Sequence, residues 1–83
     1  MSIANNYGVR VHKVPSYRLG EGVLGRAWIY DGLIEIRYDL RGEEFEEVLL
    51  HEMIHMKYRL DEYKTRALTR IALLARGKIP KFH

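Results

Sequence analysis

Apolar and polar positions change rhythm along the chain. Residues 9–14, Val-Arg-Val-His-Lys-Val, alternate imperfectly and stop at Pro15, the pattern of a short strand. Residues 16–25 carry Gly20, Gly22 and Gly25 and read as a loop or bulged connection. Two apolar runs, Ala27–Tyr30 and Leu33–Tyr38, then flank Asp31-Gly32. An Asp-Gly pair so placed favours a two-residue type I′ hairpin, which predicts strands near 26–30 and 33–38. After Gly42 the rhythm turns helical. Glu43, Glu44, Glu46 and Glu47 suit the positive end of a helix dipole, and a helix is expected from 43 to about 59. Arg59-Leu60-Asp61 read as a turn, with Asp61 as the N-cap of a second helix from about 62 to 76. Gly77 and Pro80 stop that helix. Its stripe of Tyr63, Ala67, Ile71 and Leu74, with Leu68 and Ala75, is expected to face the core, and Arg66, Thr69, Arg70 and Arg76 to face water. The order β, ββ, α, α predicts one α+β domain over residues 1–83. It would hold a small antiparallel hairpin sheet of about three strands, then two helices.

Inside the first helix stands His51-Glu52-Met53-Ile54-His55. Residues four apart share a helix face about 6 Å apart, close enough for two imidazoles to bind one metal ion. Glu52 points about a quarter-turn away from His51, wrong for a third ligand but right for deprotonating a zinc-bound water. Two of only four histidines fall at this spacing. Val48, Leu49, Leu50, Met53, Ile54 and Met56 surround them with apolar side chains, as in a low-dielectric site and equally as in any core helix.

These five residues resemble the active-site helix of the zincin metallopeptidases. In that superfamily the helix follows a small sheet whose edge strand binds extended substrate. The resemblance covers roughly residues 26–75, with Leu33–Tyr38 as the strand before the helix. It implies zinc as cofactor, a peptide or protein as substrate and Glu52 as general base. In size and in the second helix the chain is most similar to the small repressor-cleaving zincins, where a Glu of the following helix completes the site. The stretch Asp61-Glu62-Tyr63-Lys64-Thr65-Arg66 departs from that group's Glu-x-Glu-Ala-Asn pattern.

A catalytic zinc takes three protein ligands and one open position. A helical hairpin would return Glu62, seven residues after His55, to the histidines, and Glu62 is preferred as third ligand. Asp61 stands second, at the metzincin spacing, although Tyr58 occupies the position where metzincins place a turn-forming Gly. His83 stands last. On the helical wheel Glu62 falls nearly opposite the apolar stripe of its own helix, which argues against it. Tyr58, Tyr63 and Arg66 are candidates for stabilising an oxyanion. His12 on its strand reads as structural, and Trp28 and Tyr30 as hairpin or core aromatics.

Composition narrows the alternatives. Cysteine is absent, which removes disulfides, cysteine zinc fingers, iron–sulfur sites and a cysteine nucleophile. A domain of 83 residues without disulfides needs another staple, commonly a metal or a partner. The longest apolar run, Ile71–Ala75, is far too short to cross a bilayer, and Met1–Asn6 lacks the marks of a secretion signal. The expected setting is therefore cytoplasmic, with no membrane contact. Glutamine is missing and asparagine occurs twice, a thermophile-like bias. Residues 1–56 hold six basic and nine acidic residues, net −3, whereas residues 57–83 hold eight and two, net +6. The basic end makes a nucleic-acid-binding module the competing class, and an adaptor docking through the hairpin edge a third. The short chain leaves little room for a two-walled cleft, so a homodimer or a partner protein completing the cleft is a further expectation.

Overall fold

The structure, a computed structural model, describes residues 8–59 and 61–78; Leu60, Pro80 and His83 lie outside them. Strand β1 (Arg10–Val14) leads through Pro15 into a four-residue helix α1 (Ser16–Leu19), and β2 (Gly25–Trp28) and β3 (Leu33–Arg37) follow. Two long helices, α2 (Gly42–Tyr58) and α3 (Glu62–Ala75), complete the described part. This is the expected α+β architecture of three strands followed by two helices.

The sheet order is β1-β3-β2. β2 and β3 form the antiparallel hairpin. β1 pairs with β3 in parallel, Arg10 opposite Leu33 and Val14 opposite Arg37, so the sheet is mixed rather than wholly antiparallel. The hairpin turn also differs from the Asp-Gly expectation. Trp28 pairs with Leu33, leaving four residues in the connection. Ile29–Asp31 make a turn of 3-10 helix, and Gly32 alone takes the left-handed conformation, at φ 62°. A type I′ turn would need positive φ at Asp31 as well; among the described non-glycine residues only Arg59 has it.

Alternation decides what each strand buries. Ile34 and Ile36 point to one face, are fully buried, and pack with Val9, Leu40 and Val48 of α2. Burying side chains of this size contributes about 1.5–3 kcal/mol each. Glu35 points to the opposite face and is also buried, because Trp28 Nε1 donates to one carboxylate oxygen at 2.9 Å and Arg18 Nε to the other at 2.6 Å. These two hydrogen bonds, with the Arg18 charge, outweigh the burial penalty and hold the Glu35 carboxyl below its ordinary range. The glycine-bearing segment thus contains a short helix, α1, that brings Arg18 over the sheet.

Glu43 and Glu44 occupy the first turn of α2, and the helix ends at Arg59 in the left-handed conformation (φ 54°), one residue beyond Tyr58. Asp61 caps α3 by accepting from Lys64 N–H at 2.8 Å. At the far end Gly77 N–H donates to Leu74 O and Lys78 N–H to Leu73 O, with Gly77 at φ 75°, a Schellman stop. Lys78 Nζ then reaches Glu46 Oε1 at 2.8 Å, tying the end of α3 to the start of α2. The two helices therefore run antiparallel.

The face that α3 buries is not its apolar stripe. Thr65, Thr69 and Leu73 are buried, whereas Tyr63, Leu68, Ile71 and Leu74 are exposed. Thr69, expected in water, donates its hydroxyl to Thr65 O at 2.7 Å. Polar partners on α2, not hydrophobicity, set the rotation of this helix. No helix among the described residues is long and apolar enough to cross a membrane.

Candidate metal centre

Residues 51 and 55 lie one turn apart on α2, facing the edge strand β2 and the start of α3. Their rings meet edge to face with centroids 4.9 Å apart. The αL residue Arg59 reverses the chain, and the Asp61 cap begins α3 so that its first residue, Glu62, returns to them. His51 Nε2 donates to Glu62 Oε1 and His55 Nε2 to Glu62 Oε2, both at 2.8 Å. The three ligand atoms offered by His51, His55 and Glu62 all lie within 4.8 Å of one another. Ligands about 2.1 Å from one tetrahedral ion stand about 3.4 Å apart, so this cluster has the right dimensions.

Glu62 would face away from the histidines only if the apolar stripe of α3 docked on the core. The stripe is turned outward instead, and Thr65, Thr69 and Leu73, which share the side of α3 that carries Glu62, are buried. Asp61 is engaged as an N-cap and is not part of the cluster. His83 lies outside the described residues.

Thr65 is the residue that motif reading missed. It is fully buried, and its Oγ1 sits 3.1 Å from His55 Nδ1. When an ion takes the place of the Nε2 proton, Nδ1 carries the proton and can donate it to Thr65, the usual role of a group behind a metal-bound histidine. A signal existed: Thr65 follows Glu62 by three residues and so shares its helix face. Gly25 was also passed over. A Cβ there would stand 2.7 Å from Val48 Cγ1 and 3.3 Å from Glu52 Cγ, so only glycine lets β2 approach α2 this closely.

Glu52 is 7% exposed and lines the cleft between β2 and α2, together with His51, His55 and Glu62. Burial pushes its carboxyl up to about 7, against a smaller downward pull from His55. Burial likewise depresses His51, with Glu62 opposing, which favours the neutral imidazole that metal binding needs. At Glu62 burial acts upward, but hydrogen bonds from the two imidazoles and their charge prevail, and the carboxyl stays ionised below its ordinary range.

The cleft wall opposite α2 is the β2 edge with the preceding residues Gly22–Leu24, and Ile29 lies beyond. Arg66 also lines the cleft, 3.5 Å from Glu62 Oε1. The tyrosines do not share this position. Tyr58 lines a groove on the other side of the helical hairpin, and Tyr63 is exposed. His12 is exposed on β1, Tyr30 projects into solvent, and Trp28 serves Glu35. Comparison with protein-family models, with curated proteins and with solved structures finds no match.

Proposed function

We propose that this protein is a zinc-dependent metallopeptidase with His51, His55 and Glu62 as metal ligands and Glu52 as general base. The observation that carries the reading is the convergence of two imidazoles and one carboxylate beside a buried carboxylate in a cleft. The donor set fits: two neutral imidazoles and a carboxylate leave a fourth position open, as catalytic zinc requires. Zinc, when bound, supplies a Lewis acid and draws the pKa of a water toward about 7.

The chain's own residues do the rest. Thr65 orients His55. Glu52 takes a proton from the attacking water and passes it to the leaving amine, and its high proton affinity suits both transfers. The water oxygen bonds to the carbonyl carbon first, and the scissile C–N bond breaks once Glu52 has protonated the amine nitrogen. Among the described residues β2 pairs with β3 alone, and β2 lines the cleft, so an extended peptide would add at its other edge as a further strand. Arg66, which lines the cleft as Arg26 also does, is the candidate cation for charge developing on the carbonyl oxygen. A cytoplasmic setting and a peptide or protein substrate go with this reading.

The test is metal content by mass spectrometry on wild type, His51→Ala, His55→Ala and Glu62→Ala. The proposal expects about one zinc per chain in wild type and loss in each variant. Wild type that stays metal-free after incubation with excess zinc refutes it. Full peptide hydrolysis by Glu52→Gln refutes the assigned base.

A further inference from the structure

The rotation that brings Glu62 and Thr65 to the histidines turns the apolar side of α3 outward. Ile71 is 63% exposed, Leu74 54% and Leu68 38%. Leu68 and Ile71 form one wall of a groove whose other wall is Leu50, Met53 and Met56 of α2. A small monomer rarely leaves such a contiguous apolar patch to water. Two cations of the basic half, Lys57 and Arg76, line this groove, and among the described residues no carboxylate does. The basic half has only two acids, and both are engaged: Asp61 caps α3 and Glu62 is held by His51 and His55.

We infer that the groove between α2 and α3 docks an amphipathic helix of a partner protein, apolar on one face and acidic along its flanks. Two helices side by side leave a furrow that a third helix fills, with apolar side chains every three to four residues. Met53 and Met56, unbranched and polarizable, adapt to the side chains that enter. The acidic flanks meet Lys57 and Arg76. A second copy seated groove to groove fits poorly, because it brings the same Lys57 and Arg76 against themselves. A lipid surface fits poorly as well, because Leu50, Met53 and Met56 are half-buried along a concave wall that a flat bilayer does not reach.

The groove lies across α2 from the metal cluster. His51, Glu52 and His55 line the cleft, whereas Leu50, Met53 and Ile54 line the groove. Partner and substrate can therefore be held together, and the inference stands whether or not the cleft is catalytic.

The experiment uses the full chain and a fluorescent synthetic peptide of about 18 residues, long enough to form a helix on binding, with leucines on one helical face and glutamates elsewhere. A matched peptide carries lysine in place of every glutamate. Fluorescence anisotropy should show saturable binding of the acidic peptide, at least about tenfold tighter than the lysine form, and weakening between about 50 mM and about 500 mM salt. Ile71→Glu and Lys57→Glu should each weaken it about tenfold while circular dichroism and melting temperature stay as in wild type. Both sites are exposed, so folding is not at stake. Tyr17→Glu, on α1, should leave binding unchanged. Absent binding of the acidic peptide, or equal binding of both peptides, overturns the inference. So does a wild-type dimer in sedimentation that Ile71→Glu splits, and so does a preference for anionic phosphatidylglycerol vesicles over the peptide.

Discussion

Replacing Glu52 by Gln should make the metal-free protein more stable at neutral and alkaline pH. Glu52 is 7% exposed, and burial lifts its carboxyl from 4.5 to about 7. The folded protein thus holds a proton on Glu52 more tightly than the unfolded chain does. Between pH 4.5 and about 7 the native state binds more protons, and stability falls as pH rises. Below 4.5 both states are protonated and nothing is lost; above about 7 the full cost of a buried charge is present. A displacement of this size corresponds to about 3 kcal/mol. Glutamine keeps the shape and carries no charge. The assay is urea unfolding in chelator, followed by circular dichroism at several pH values. At pH 8 the Glu52→Gln midpoint should lie higher by roughly 1–3 M, for slopes of about 1–3 kcal/mol/M. At pH 4 the two midpoints should nearly coincide. Coincident midpoints at pH 8, or a less stable variant, would refute the claim that Glu52 is held at a cost. The reading as general base adds that this same variant loses hydrolysis, so stability is given up at the residue that does the chemistry.

Three further substitutions probe the supports of the site. Gly25→Ala places a methyl 2.7 Å from Val48 Cγ1 and 3.2 Å from Glu35 O, and should cost about 1–3 kcal/mol by thermal unfolding. Thr65→Val removes the oxygen beside His55 Nδ1, and should weaken zinc binding about 10–100-fold in competition with a chelating dye, with circular dichroism unchanged. Asp61→Ala removes the α3 cap and should cost about 1 kcal/mol in a thermal melt, while zinc stoichiometry stays as in wild type. Loss of zinc in Asp61→Ala would reinstate Asp61 as the ligand.

Local signals were the legible ones. Acids at the start of α2, the Asp61 cap and the Gly77 stop fix both long helices to within a residue, because each acts on neighbours in sequence. His51 and His55 share a face by helical period alone. The parallel pairing of β1 with β3 has no such signature: it joins segments more than twenty residues apart, and no turn chemistry announces it. The hairpin turn failed because Asp31-Gly32 is equally able to end a 3-10 turn, with only the glycine in the left-handed region. The α3 face failed for a reason that belongs to the site. Hydrophobic period placed Ile71 and Leu74 inward, but the hydrogen bonds of Glu62 and Thr65 to the histidines hold the helix rotated the other way.

His51 and Glu62 stand eleven residues apart in the chain. An ion held between them closes a short loop, and closing a short loop removes little freedom from the unfolded chain. Such a clip acts as a local staple. It fastens α3 to α2 and leaves the sheet to the packing of Ile34 and Ile36. With the proposed ion bound, the molecule would have two regions of unequal resilience: a sheet region secured by apolar burial, and a helical hairpin whose grip would rise and fall with metal supply. Metal scarcity would loosen α3 first, and with it both the cleft and the groove on its other side.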